Sequence, residues 1–161
     1  MSPRNVPPRT DWPDAPPRSK ASGLLTDVVI ATFRLNGRLQ EHAQVLAAAG
    51  GLTSSWWQVL GGVLDEPRTV AGIGRRMGMT RQGVQRVADL LVGRGLAEYR
   101  PNPAHQRAKL LACTEEGYWA IRQIAIAQHP WAERVAQGVG ESDLRSTLAT
   151  MTRLIEVLED E

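Results

Sequence analysis

Between residues 24 and 48 the apolar or small positions Leu24, Val28, Ala31, Leu35, Leu39 and Leu46 recur at helical spacing, with His42 taking the one polar step. That pattern predicts one long helix with a continuous stripe. Gly50 and Gly51 stop it. Thr53 then caps a second helix to about Leu64, with Trp56, Leu60 and Val63 on one side and Trp57 and Leu64 beside them. Beyond the turn at Pro67, Thr69 begins a short helix to Met77, Gly78 breaks it, and Thr80 caps another to about Gly93. Residues 96–100 alternate as a strand, residues 101–106 form a polar turn ending in His105 and Gln106, and residues 107–113 read as a return strand. Thr114 opens a helix with Glu115 and Glu116 in its first turn, where the positive helix end favours them. His129 and Pro130 predict a bend or stop near Gln128, with resumption to Gln137. Ser142 caps a last helix whose Leu144, Leu148, Met151, Ile155 and Leu158 alternate at four and three, a seam that packs on another helix.

The two helices around Gly78 meet the requirements of a helix-turn-helix. Such a unit needs a small residue where the helices cross, a glycine in the turn, and apolar residues at fixed offsets. Gly74 is the small residue and Gly78 the turn, while Ile73, Met77, Met79, Val84 and Val87 fill the apolar positions. A hairpin directly after a helix-turn-helix makes it a winged helix.

At 161 residues, 42% hydrophobic, the chain is long enough for one real core and too short for two ordinary domains. No apolar run approaches the ~20 residues needed to cross a bilayer, and no leader-like apolar stretch opens the chain, so a cytoplasmic protein with no membrane partner is expected. Cys113 is the single cysteine, which excludes an intrachain disulfide. Residues 1–22 hold six of the ten prolines and form a tail, extended or disordered in isolation. Pro3 belongs to it, and its Arg4, Arg9 and Arg18 read either as a basic arm on DNA backbone or as a solvated leader. Trp12 is the residue there that would pin the tail to the body or to another subunit.

Net charge is only +2, but its placement matters more than its size. Residues 79–113 carry +4 and residues 114–161 carry −5. A local basic patch of this kind points to a polyanion. Of 19 cationic side chains only Lys20 and Lys109 are lysines. A GC-rich coding habit accounts for that ratio; it does not account for the clustering.

With Val84, Val87, Leu90 and Leu91 turned inward, the last helix before the wing presents Arg81, Gln82, Gln85, Arg86 and Asp89. Arginine and glutamine pair bidentately with guanine and adenine edges in the major groove. Gln82, Gln85 and Arg86 are the expected base or near-base contacts, with Thr80 and Arg81 at the helix start meeting phosphate. Arg107 on the wing, followed by Arg100 and Lys109, would enter the minor groove or clamp its phosphates. Nothing in the chain assembles into a catalytic or metal-binding set, and no cofactor is expected: the three histidines are far apart, no glycine-rich phosphate loop occurs, and Glu156, Glu159, Asp160 and Glu161 read as a solvated helix end.

The order of these elements, with Gly51-Leu52-Thr53, Arg94-Gly95-Leu96 and Thr114-Glu115-Glu116-Gly117, resembles the MarR family of bacterial transcription regulators over residues 24–159. The implied fold class is mainly α: a winged helix-turn-helix DNA-binding lobe at about 53–113, with N- and C-terminal helices at 24–48 and about 115–159 forming a dimerisation lobe. A single domain over residues 23–161 would then follow the tail. The resemblance implies a homodimer that straddles a pseudo-palindromic operator on double-stranded DNA, most often as a repressor, and relief of repression by a small ligand. Leu24, Val28, Leu35, Leu144, Leu148, Met151 and Ile155, on the two end stripes, are the expected dimerisation residues.

By the same resemblance His42, Trp56, Trp57, Tyr118 and Trp119 surround a cleft suited to a small, flat aromatic effector. The same residues also read as ordinary packing. Two positions depart from the family pattern: His105 stands where an acid usually precedes the wing arginine Arg107, and Cys113 stands where an apolar residue precedes Thr-x-x-Gly. The first removes the usual acid-arginine brace of the wing. Two other readings remain: a winged helix that binds only protein, which the +4 of residues 79–113 disfavours, and a redox-sensing regulator acting through Cys113, which an apolar strand position disfavours.

Overall fold

A computed structural model describes residues 6–105 and 107–160. Pro3 and Arg4 of the tail, Gln106 of the wing turn and Glu161 of the acidic end lie outside the described residues. The chain divides into two compact units, Met1–Leu39 and Gln40–Glu161.

In the first unit residues 6–19 are exposed, with one 3-10 turn at Arg9–Asp11. Trp12 folds back within this segment: its indole N–H donates to the Pro7 carbonyl at 2.9 Å and the Arg9 guanidinium lies over the ring at 5.7 Å. Helix α1 (Lys20–Ala48) starts four residues before the expected Leu24. The reason is a cap the apolar stripe does not reveal: the Ser19 hydroxyl accepts from the Ser22 amide at 3.1 Å. Leu24, Val28 and Leu35 are all exposed, and so are Leu25, Val29, Ile30 and Phe33 on other sides of the same helix.

The second unit contains the end of α1 and then α2 (Ser54–Gly61), β1 (Arg68–Thr69), α3 (Val70–Met77), α4 (Arg81–Gly93), β2 (Ala97–Arg100), β3 (Leu110–Cys113), α5 (Glu115–Val139) and α6 (Glu141–Asp160). The three strands form an antiparallel sheet in the order β1-β3-β2, so β3 is central. Its register sets Ala97 opposite Cys113 and Arg100 opposite Leu110 on one side, and Arg68 opposite Leu111 on the other. The mainly α winged-helix architecture is the expected one.

One buried cluster holds this unit together. Val59, Leu60 and Val63 from α2 and the turn after it meet Ile73 of α3, Val84, Val87, Ala88 and Leu91 of α4, Leu111 of β3 and Ile124 of α5. All but one of the side chains from α2, α3 and α4 in that set are under 2% exposed; Val87 is 4% exposed. By contrast, no residue of α6 is buried and α1 buries only Ala47.

Several boundaries differ from the sequence reading. Helix α2 stops at Gly61, short of Leu64, where the Val63 amide turns to the Leu60 carbonyl three residues back, at 3.0 Å, instead of the one four residues back. Helix α5 runs through Pro130 without a stop. Proline removes one helical donor, and the carbonyl it leaves unpaired belongs to Ile126, an exposed residue whose oxygen can turn to water. Helix α6 begins at Glu141, directly after Gly140 at φ +94°, so Ser142 lies inside the first turn rather than capping it.

Candidate nucleic-acid interface

Three threonines cap the elements that carry the site. Thr69 accepts from the Gly72 amide at 3.1 Å and starts α3; Thr80 accepts from the Gly83 amide at 3.1 Å and starts α4. Thr114 does the same for α5 at the Gly117 amide, 3.2 Å away. Between α3 and α4, Gly78 adopts the left-handed φ of +62° that closes the turn. A side chain at Gly74 would place its Cβ 2.8 Å from the Met79 carbonyl, so only glycine lets the turn fold back that tightly. Ile73 and Val84 then lock the two helices from the inside.

On α4 the buried face is Val84, Val87, Ala88 and Leu91, the i, i+3, i+4, i+7 set of one helical stripe. Leu90, expected to turn inward, is 48% exposed, and Ala88 takes the place in the core that was given to it. Arg81, Gln82, Gln85, Arg86 and Asp89 are all exposed, as expected. Among the described residues, Arg81, Gln82 and Arg86 make no side-chain hydrogen bond or ion pair, so their polar ends are available to a ligand.

Gln85 is engaged. Its Nε2 donates to Asp89 Oδ1 at 2.9 Å and to the Tyr99 hydroxyl at 2.8 Å, and that hydroxyl donates to the same Asp89 oxygen at 2.8 Å. Partial burial, then the Asp89 carboxylate, pushes the Tyr99 phenol up to about 12. The triangle ties strand β2 to α4. It supplies a brace between wing and helix in a chain that lacks the acid-arginine pair.

The wing tip is built locally: Asn102 Oδ1 accepts from the Ala104 amide at 3.0 Å and the Asn102 carbonyl accepts from the His105 amide at 3.2 Å. Lys109 extends its ammonium to 5.9 Å from the Tyr99 ring centroid. Between α4 and the wing lies a recess of about 490 Å³ lined by Thr69, Val70, Ala71, Arg81, Gln85, Tyr99, Arg107, Ala108 and Lys109. Three cations converge on it, Arg81 from α4 and Arg107 and Lys109 from the wing, and among the described residues no acidic side chain lines its walls. Thr80, Gln82, Gly83, Gln85, Arg86 and Asp89 line a second, shallower recess on the outer side of α4. Gln85 borders both. Arg100 stands apart from this set, held at 2.7 Å by Glu98 of its own strand.

The base of the wing rests on residues the sequence reading missed. Arg68 of β1 is only 16% exposed at its side chain and donates to Asp65, Glu66 and the Gly62 carbonyl, the last at 2.8 Å. Hydrogen bonding to this guanidinium, first, and its charge hold the Asp65 carboxyl well below the usual carboxylate range. At the other end of the wing, Thr114 Oγ1 donates to the Gly95 carbonyl at 2.6 Å. Gly117 lies against the Leu96 carbonyl and Cys113 Sγ so closely that any Cβ would collide with both. That contact accounts for the pairing of Arg-Gly-Leu with Thr-x-x-Gly.

The five expected pocket residues are not gathered into one cleft. His42 packs against Trp131, which the sequence reading did not select, at a centroid distance of 5.5 Å. Trp56 lies under the Arg94 guanidinium at 4.8 Å, Trp57 packs at the edge of the core, and the Tyr118 hydroxyl donates to the Leu64 carbonyl at 3.0 Å. Trp119 alone of the five lines the recess of about 730 Å³ that also includes Arg94, Leu96, Glu115 and Glu116. Cys113 is buried, and burial followed by the nearby Glu115 charge pushes its thiol up to about 11.

Fold and site together define a winged helix-turn-helix protein with a cationic groove between its second helix and its wing. The MarR family model matches residues 50–108. The uncharacterized protein Rv2011c of Mycobacterium tuberculosis is 40% identical over 140 residues, covering 87% of this chain and 98% of that one. The chain belongs to the MarR family. Among solved structures similar in fold, MosR (Rv1049) of M. tuberculosis, in complex with DNA, is 20% identical with a TM-score of 0.68, covering 82% of this chain and 96% of that one. CouR of Rhodococcus jostii RHA1, bound to p-coumaroyl-CoA, is 21% identical with the same TM-score of 0.68, covering 80% of this chain and 92% of that one.

Proposed function

We propose that the protein is a homodimeric, sequence-specific transcriptional repressor that binds an inverted repeat in double-stranded DNA. The observation that carries this reading is the convergence of Arg81, Arg107 and Lys109 on the groove beside α4, next to the unpaired Gln82 and Arg86. Phosphate contacts from the first group fix orientation, and base-edge contacts from the second supply sequence preference. The complex of MosR with DNA supports the reading at the level of fold.

The apolar surface that one chain leaves open supports the dimer. Leu24, Val28 and Leu35 of α1 and Leu144, Leu148 and Ile155 of α6 are each at least 40% exposed, and Met151 is partly exposed. Single exposed apolar residues are ordinary on a soluble protein, but whole apolar helix faces mark an interaction surface. A second copy covers them, and two recognition helices ~34 Å apart then read successive major grooves. Selection from random duplexes tests this: an inverted repeat is expected, and enrichment of sites without dyad symmetry contradicts it.

A small aromatic effector is a further part of the reading. Trp119 and Arg94 line one recess together with Glu115 and Glu116, offering a stacking face and mixed charges to a small aromatic ligand, and CouR, bound to p-coumaroyl-CoA, is a precedent for an aromatic acyl ligand on this fold. Quenching of tryptophan fluorescence by aromatic acids, with release of DNA, is the expected result.

A further inference from the structure

We infer that Tyr99 and Asp89 hold Gln85 so that it reads DNA as a hydrogen-bond acceptor only, accepting from the exocyclic amine of adenine or cytosine. This rests on the proposed role of α4 as the recognition helix and deepens it. A free glutamine reads adenine bidentately, accepting from N6 through its oxygen and donating to N7 through its nitrogen. Gln85 Nε2 donates to both Asp89 Oδ1 and the Tyr99 hydroxyl, at 2.9 and 2.8 Å, and we take each of these bonds to use one of its two N–H groups. The orientation of the amide is set by chemistry, because the ionised Asp89 carboxylate only accepts and must face Nε2. What remains for a ligand is Oε1.

An acceptor in the major groove meets a donor at adenine N6 and cytosine N4, and meets another acceptor at guanine O6 or thymine O4. One position of each half-site should therefore admit adenine and cytosine on the contacted strand and reject guanine and thymine. A tyrosine phenol is protonated throughout the neutral range, so Tyr99 can donate to Asp89 there, at 2.8 Å. Tyr99 also lines the cationic groove, so the residue that sets Gln85 is carried by the same strand that positions the wing. Tyr99 and Asp89 are positioning residues here, acting on DNA through Gln85.

The experiment compares base preferences of the full-length wild type, Gln85→Ala and Tyr99→Phe on duplexes selected from a random library. For the wild type, adenine and cytosine are expected within about threefold of each other at one half-site position, a difference smaller than any bidentate discrimination. Gln85→Ala should level all four bases there. Tyr99→Phe, which keeps the ring and frees one N–H, should raise adenine over cytosine about tenfold, the size of one added base contact. A merely structural role for Tyr99 would lower affinity for all sequences and leave that ratio unchanged. A Gln85→Ala profile identical to wild type at every position, or a wild type that already prefers adenine tenfold, overturns the inference while leaving DNA reading by the protein intact. Failure to enrich any duplex overturns both.

Discussion

The helix-turn-helix with its wing and the helices α1 and α6 solve opposite problems. The former closes on itself: Leu60, Ile73, Val84, Leu91 and Leu111 are each wholly buried within one chain. The latter do not. Helix α6 buries nothing, and α1 carries apolar side chains on several sides, Leu24, Ile30 and Phe33 all being more than 50% exposed. Apolar helix faces left open in one chain mark an interaction surface. The contrast separates a module whose core is complete within one chain from two helices whose apolar side chains lie open and which, in the proposed function, a second copy covers.

The same kind of truncation made in both regions puts that division at greatest risk. Ile73→Ala should lower unfolding free energy by about 2–5 kcal/mol, as expected for a large-to-small change in a close-packed core. Leu148→Ala should act through association instead, shifting the melting temperature with protein concentration and weakening self-association in sedimentation. Comparable concentration dependence from both substitutions would erase the distinction.

Within the winged helix the proposed function implies a second contrast, between base reading and positioning. Arg86→Ala should cost about 1–3 kcal/mol on the preferred site and relax sequence preference. Arg107→Ala should instead lower affinity for all sequences and reduce the slope of log K against log salt by about 0.9 for each phosphate it no longer neutralises. Titrating both variants over a salt series on matched and scrambled duplexes distinguishes them. The smallest effect concerns the brace. Tyr99 is raised from about 10 to about 12, so its protonated form is favoured in the folded state. The stability it contributes is fully present below pH 10 and fades as pH rises through 12. The difference in stability between wild type and Tyr99→Phe should therefore shrink across that window.

Much of this was legible in the sequence because the chain punctuates its elements with residues of narrow use. Thr53, Thr69, Thr80 and Thr114 each cap the helix expected of them, and Gly74, Gly78 and Gly117 occupy places where a side chain or a negative φ would not fit. The rest depended on contacts with no local signature. Strand β1 is two residues long and exists because β3 pairs with it, so no periodicity could announce it. Arg68 looked like one more arginine, although its fork closes the turn beneath the wing through Asp65 and Glu66.

The site was legible as a set of residue types and not as a geometry. Arg81, Gln82, Arg86, Arg107 and Lys109 are exposed together as their positions implied. Arg100 is paired with Glu98, and Gln85 is held by residues four and fourteen positions away on two different elements. Alternation and spacing can put a glutamine on the outer face of a helix. They do not tell which of its atoms are already engaged.

Hydroxyl-radical footprinting of the protein on a selected duplex tests most directly whether the closed module reads DNA while the open helices join two copies. Two protected patches related by a dyad and about one helical turn apart, ~10 base pairs, are predicted, with both weakened together by Leu148→Ala. A single patch without symmetry, indifferent to that substitution, would contradict this division of labour.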